Sequence, residues 1–325
     1  MGSLNADAKI YIPGHRGLVG SALVRRLTAG GFTNLLTRTR GELDLMDQAA
    51  VREFFQAEQP EYVFLAAAKV GGIRANNIYP AEFIYQNLTI QNHIIDAAFR
   101  NGSKRLLFLG SSCIYPKMAP QPMKEEYLLT GPLEPTNDAY AVAKIAGIKM
   151  CEAYNRQYDT RYLSVMPTNL YGPGDNFDLI DSHVLPAMVR KFHEAMIENA
   201  PTVMVWGSGT PRREFLHVDD MADACVYLMD LPEEKFAALI TTLKPATINI
   251  GTGVDLTIAE LAEMVRQVTG FAGEIIFDST NPDGTPRKLL DVSRLRDLGW
   301  RAKIDLRSGI EQTYVWFCKG GEIRT

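Results

Sequence analysis

Tyr140-Ala141-Val142-Ala143-Lys144 sets a phenol and an amine four residues apart. On a helix that spacing puts both side chains on one face. An ammonium beside a phenol favours the phenolate and lowers a pKa that starts near ~10. Such a tyrosine can hand a proton to a carbonyl oxygen as hydride reaches the carbon. Upstream, Gly110-Ser111-Ser112-Cys113-Ile114-Tyr115 follows a short apolar run, and Ser111 is placed to reach the same oxygen. A free thiol titrates near ~8.5, so Cys113 needs a nearby positive charge to act as a base at neutral pH.

A third group of residues concerns phosphate. Gly14-His15-Arg16-Gly17-Leu18-Val19-Gly20 lies between an apolar strand and a helix. Gly14 permits a tight turn, Gly17 lets backbone approach a pyrophosphate, and Gly20 lets helix pack close to strand. The helix N-terminus then offers free N–H groups to the phosphates. NAD enzymes of this type carry an acid after the second strand, for the ribose 2′-hydroxyl. Here Leu36-Thr37-Arg38-Thr39-Arg40 has none, and Asp44 lies too far along to replace it. Arg16 and Arg40, with Arg38 as a further candidate, read as a clamp for the 2′-phosphate of NADP(H).

These groups need elements to hold them. Strands are expected at Lys9–Pro13, Asn34–Thr37, Tyr62–Ala67, Arg105–Leu109 and Tyr162–Met166. Helices are expected at Leu18–Ala29, Gln48–Ala57, Phe83–Arg100 and Ala139–Tyr158, where apolar residues recur at helical spacing. The βαβαβ rhythm implies an α/β fold, a Rossmann-type doubly wound parallel sheet with helices on both faces. After Tyr171-Gly172-Pro173-Gly174 the elements shorten. Helices are expected at His183–Ala200, at Asp219–Met229 with an Asp219-Asp220 cap, and at Thr257–Thr269, and a strand at Thr202–Trp206. This texture predicts a smaller α/β substrate-binding lobe. The expected division is residues 1–170 plus about 214–240 for the NADP-binding domain, and 171–213 plus about 241–325 for the substrate lobe.

Phosphate loop, strand-end serine and YxxxK, in that order, resemble the extended short-chain dehydrogenase/reductase family. Within it the chain is similar to the nucleotide-sugar epimerase-reductases, through Ala66-Ala67-Ala68-Lys69-Val70-Gly71-Gly72-Ile73, Asn76-Asn77 and Leu109–Pro116. The likeness continues in Pro167–Gly172, Ser182-His183-Val184, Trp206–Thr210, Arg213–Asp220 and Pro282–Asp291. The resemblance implies epimerisation at C3 and C5 of a GDP-4-keto-6-deoxy-D-mannose, then reduction at C4 by NADPH to GDP-L-fucose. It implies Ser111, Tyr140 and Lys144 at the ketone, Cys113 as base and His183 as acid. Leu109, Gly110, Ser111, Ser112, Lys144, Pro167, Thr168, Asn169, Leu170 and His183 would contact the cofactor. Lys191, Trp206, Arg213 and Asp283 would contact the GDP-sugar, with Lys288 at the diphosphate. Lys191 stands where the family carries arginine, which keeps the charge and loses the fork. A homodimer built on the helices around 83–100 and 139–158 is implied as well.

Composition narrows the remaining classes. Hydrophobic residues are 46% and charged residues 22% of 325, with net charge −4 and no Lys/Arg-rich run, which argues against an extended nucleic-acid surface. Four cysteines without metal-ligand spacing predict no metal site and a reducing compartment, hence the cytoplasm. Met1–Ala8 lacks an apolar stretch and no long apolar run follows, so no membrane partner is expected. Two alternatives stay open: a 4-epimerase or 4,6-dehydratase on the same fold, and a non-catalytic NADPH-binding module.

Overall fold

Short runs of β-branched and aliphatic residues alternate with amphipathic stretches, and the chain folds accordingly. A computed structural model describes residues 4–179, 182–241, 245–280 and 283–320, the side chains of Ile73 and Arg74 aside. Met1–Ser3 of the N-terminal stretch and Pro282 of the Pro282–Asp291 motif lie outside the described residues. The first half comprises β1 (Ile10–Tyr11), α1 (Leu18–Ala29), β2 (Leu35–Leu36), α2 (Gln48–Glu58), β3 (Tyr62–Leu65), α3 (Ile73–Ile78), α4 (Pro80–Arg100), β4 (Arg105–Leu109), α5 (Asp138–Tyr158) and β5 (Tyr162–Pro167). There follow β6 (Asn169–Tyr171), α6 (Val184–Ile197), β7 (Thr202–Trp206), β8 (Arg212–His217), α7 (Val218–Met229) and α8 (Glu233–Leu239). The last part holds β9 (Thr247–Ile250), β10 (Asp255–Thr257), α9 (Ile258–Thr269), β11 (Glu274–Asp278), β12 (Arg287–Lys288), α10 (Ser293–Asp297) and α11 (Leu306–Cys318).

The main sheet runs β2-β1-β3-β4-β5-β9 with every pair parallel. All residues of β3 and β4 are buried, as a parallel sheet covered on both faces requires. Successive side chains go to opposite faces. Ile10, Ile12 and Phe64 join one core with α1 and α7, whereas Tyr11, Val63 and Leu65 join a second with α2, α4 and α5. The strand order reverses between β1 and β3, and a crevice opens there beyond the carboxyl ends of the strands.

A second lobe has its own core of Phe177, Leu185, Phe192, Phe215, Leu261 and Phe317, drawn from β8, α6, α9 and α11 among others. In it β8 pairs with β10 antiparallel and with β12 and β6 parallel, and β7 pairs with β11. Three expectations need correction. β9 completes the main sheet rather than the second lobe to which residues after about 240 were assigned, because its four buried residues need the open edge of β5. α10 follows it, with Leu295 in the first core. The cap of α7 is His217, whose side chain accepts from the Asp219 N–H, instead of Asp219-Asp220. α4 starts at Pro80, whose missing N–H costs nothing in a first helical turn, three residues before the expected Phe83.

Candidate active site

The loop after β1 takes the form its glycines dictate. Gly14 has φ +86°, and a Cβ there would stand 2.7 Å from the Ala67 nitrogen. A Cβ on Gly20 would meet the Gly14 carbonyl oxygen at 2.1 Å, so the close approach of α1 to β1 needs glycine. Gly17 is the N-cap of α1; it has no side chain to cap the helix, and the first turn carries no acid. The amides at this helix end therefore stay available, with the positive end of the helix dipole, to an anion. They open on a cleft of about 880 Å³. The loops Gly14–Gly20, Ala66–Gly72, Leu109–Cys113 and Pro167–Leu170 line it, with Arg16, Arg40, Tyr140, Lys144, His183 and Lys288. This is the cradle a dinucleotide pyrophosphate fits.

Among the clamp candidates Arg38 is already committed. It binds Glu58 at 2.8 Å, donates to the Thr37 carbonyl and lies 5.3 Å from the centre of the Phe54 ring. Arg16 and Arg40 stand exposed at the rim.

Lys144 is buried on α5, and its Nζ donates to the Leu109 carbonyl at 2.7 Å. It sits 5.7 Å from the centre of the Tyr140 ring. Burial pushes the ammonium down to about 8, against the opposing pull of Cys113. Burial drives the Tyr140 phenol up, and Cys113 adds to the rise. This corrects the expectation of a lowered tyrosine pKa: in this environment the phenol holds its proton. A reductase needs that form, since the group must donate.

Cys113 is presented by a one-turn 3₁₀ helix, Ser112–Ile114, opened when Ser111 Oγ accepts from the Cys113 N–H at 3.4 Å. Tyr115 pins the turn by donating to Asn249 Oδ1 at 2.6 Å. Burial raises the Cys113 thiol, while Lys288, the Ser111 hydroxyl and Lys144 pull it back. His183 sits at the N-cap of α6 with its surface open to the cleft, where partial desolvation among the lining residues, and then Lys288, favour its neutral form. Phenol and ammonium from one helix, thiol and imidazole from two other stretches, thus line one cleft.

The remaining predicted residues extend from Lys288 across the second lobe. Lys288 is the register neighbour of Arg213. Arg213 Nη2 donates to the Asp283 carbonyl at 3.3 Å. The Asp283 carboxylate accepts from Ser208 N at 2.7 Å and Ser208 Oγ at 2.8 Å. Lys191 Nζ lies 5.0 Å over the Trp206 ring, which is 55% exposed and so free to stack on a flat ligand.

Asn87 and Asn76 were given no role from sequence. Asn87 Oδ1 accepts from the Lys69 backbone N–H at 2.9 Å and its Nδ2 donates to the Lys69 carbonyl at 3.0 Å. Asn76 Nδ2 donates to the Gly71 and Gly72 carbonyls. Together they fix the Ala66–Gly72 wall of the cleft. A signal existed: Asn87 and Gln91 follow Phe83 on the apolar stripe of α4, where a polar group must find a partner.

Comparison with known proteins agrees with this geometry. The sequence pattern of the NAD dependent epimerase/dehydratase family matches residues 10–251. An Arabidopsis thaliana protein named putative GDP-L-fucose synthase 2 is 60% identical over 97% of this chain and 93% of its own. The GDP-L-fucose synthase of Escherichia coli K12 is 59% identical over 95% and 96%. The solved structure of a GDP-mannoheptose C4 reductase from Campylobacter jejuni with NADP bound superposes with TM-score 0.87 at 44% identity, covering 97% of this chain and all of that one. With a glycine cradle at the sheet's switch point and a YxxxK pair facing it, the chain belongs to the NAD dependent epimerase/dehydratase family.

Proposed function

We propose that the protein converts GDP-4-keto-6-deoxy-D-mannose to GDP-L-fucose, by epimerisation at C3 and C5 and reduction at C4 with NADPH. The single observation that carries the reading is the presence of Cys113 and His183 in the cleft that holds Tyr140 and Lys144. A reductase alone needs the second pair; an acid–base pair beside it is what epimerisation adds. The relatives named GDP-L-fucose synthase support the choice of substrate.

A ketone at C4 acidifies the protons on both neighbouring carbons, so one acid–base pair serves both centres. Cys113 removes the proton and His183 returns one from the other face. Lys288 and Lys144 favour the thiolate. Because the thiol is raised and the imidazole lowered, the reactive thiolate–imidazolium state is a minority at every pH. Between the two pKa values the thiolate fraction grows with pH as fast as the imidazolium fraction shrinks, so exchange is flat across neutral pH and falls on both sides. NADPH, when bound, supplies the hydride for C4. Ser111 and Tyr140 hold O4, and Tyr140 gives it a proton while Lys144 stands ready to stabilise the phenolate left behind.

Gly14–Gly20, Leu109–Ser112 and Pro167–Leu170 form the cofactor side of this reading, and Lys191, Trp206, Arg213 and Asp283 the GDP side. The division carried by this reading is an NADP-binding part of residues 1–170 and about 214–240, joined by β9 and α10, and a substrate part of residues 171–213 and the remainder after about 240. A homodimer through α4 and α5 is supported by Tyr85 and Val142, exposed apolar residues on those helices. A cytoplasmic setting is supported by four free thiols, and no described helix is long and apolar enough to cross a membrane.

Incubation with NADPH and a panel of GDP- and UDP-linked 4-keto sugars, with products read by NMR and mass, tests the whole reading. GDP-4-keto-6-deoxy-D-mannose is expected to gain two hydrogens and emerge with the L-fuco configuration. A product of unchanged mass would mean a simple epimerase, and no turnover a binding module. Arg16→Ala is expected to weaken NADPH binding by about 10-fold and leave NADH binding unchanged, as loss of one charged hydrogen-bonding partner implies. Titration with both cofactors checks this; an unaltered ratio removes Arg16 from the clamp.

A further inference from the structure

Glu214 sits on β8 outside the cleft lining, with no exposed surface. Its carboxylate makes no salt bridge among the described residues. Oε1 accepts from the backbone N–H of Thr252 at 2.6 Å and of Gly253 at 2.7 Å, and Oε2 from that of Leu290 at 2.9 Å. Gly251 must be glycine, because a Cβ there would stand 2.2 Å from Oε1. A buried carboxylate without a cation is costly, and these N–H bonds offset the cost. The main-chain carbonyl of the same residue accepts from Thr168 Oγ1 at 3.2 Å and from Asn169 Nδ2 at 2.8 Å.

Glu214 therefore has two ends with different destinations. Its carbonyl reaches the cofactor cleft at Thr168 and Asn169. Its side chain grips Leu290, two residues beyond Lys288, while Arg213, next to Glu214 on β8, is the register partner of Lys288. Lys288 lines the same cleft as Cys113 and His183, and its charge acts on both. We propose that Glu214 is a positioning residue for proton removal at C3 and C5: its bond to Leu290 sets where Lys288 stands beside Cys113, and its carbonyl registers that strand against the cofactor cleft. This rests on Cys113 acting as the base. The segment is also held by Leu289 N to Gln121 Oε1 at 2.8 Å and by main-chain bonds between Met123 and residues 289 and 291. Loss of the Glu214 arm thus shifts Lys288 without releasing the strand.

Glu214→Gln tests this. Three N–H donors then face a single acceptor oxygen, and the orientation that keeps Thr252 and Gly253 gives up Leu290. Deuterium uptake at C3 and C5 is expected to fall roughly 10- to 100-fold, since about 1 Å of misplacement can cost that much. The alkaline fall-off of exchange should move to higher pH as Cys113 loses its cation. NADPH affinity, read by fluorescence titration, should change by less than about threefold, because the carbonyl arm is untouched. Gln121→Ala loosens the same segment at Leu289 and should give a milder version of the same split. It decides the matter if Glu214→Gln does not fold. Exchange at the wild-type rate in a folded variant, or a parallel loss of exchange and NADPH binding, overturns the proposal. Absence of exchange in the unaltered protein would instead overturn the Cys113 reading on which it rests.

Discussion

In the Tyr140→Phe protein, reduction of the 4-keto sugar falls by about 100- to 10,000-fold, the range a positioned general acid contributes. Deuterium uptake at C3 and C5 persists within about tenfold of the original rate, because another pair moves those protons. The ring stays, so its edge contact with Phe83 survives, and the phenol oxygen alone is lost. NADPH oxidation by absorbance and exchange by NMR measure the two steps separately. The intact enzyme adds a check through pH. Lys144 is held down to about 8, so reduction should decline above that value as the ammonium is lost. Equal losses of exchange and reduction in the variant would contradict the division of labour.

Cys113→Ala should do the reverse. Exchange at both carbons falls by about 100- to 10,000-fold. Cys113 is partly exposed to the cleft, and its removal leaves the Ser111 cap intact because the bonded group is the backbone N–H of residue 113. Tyr140 and Lys144 remain, so a 4-keto sugar that already has the L configuration should still be reduced within about tenfold of the wild-type rate. A folded variant that still exchanges both protons normally would show that some other group is the base.

Much of this was legible in the residues. The glycine loop, the strand-end serine and YxxxK announce themselves because backbone approach and i, i+4 geometry impose spacing on the sequence. The longer elements of the first half follow for the same reason. Glu214 left no comparable trace: in Arg212-Arg213-Glu214-Phe215 a carboxylate reads as a solvated charge, and its partners are backbone amides, which every residue but proline provides. β6, β8, β10 and β12 run for two to six residues, too short for a periodic signal. Arg38 shows a related gap, since its charge is visible in the sequence and its pairing with Glu58 is not. The state of Tyr140 depended on burial, which a five-residue motif cannot report.

The path of the backbone has a final consequence. It leaves the main sheet after β5, returns with α7, completes that sheet with β9, goes out again to β10, comes back at α10 and departs for α11. No single proteolytic nick or truncation can therefore liberate either half intact, and neither can be borrowed as a contiguous module in a fusion. Any opening between the halves must bend several crossing strands together, which confines it to a small rocking motion rather than a wide swing about one pivot.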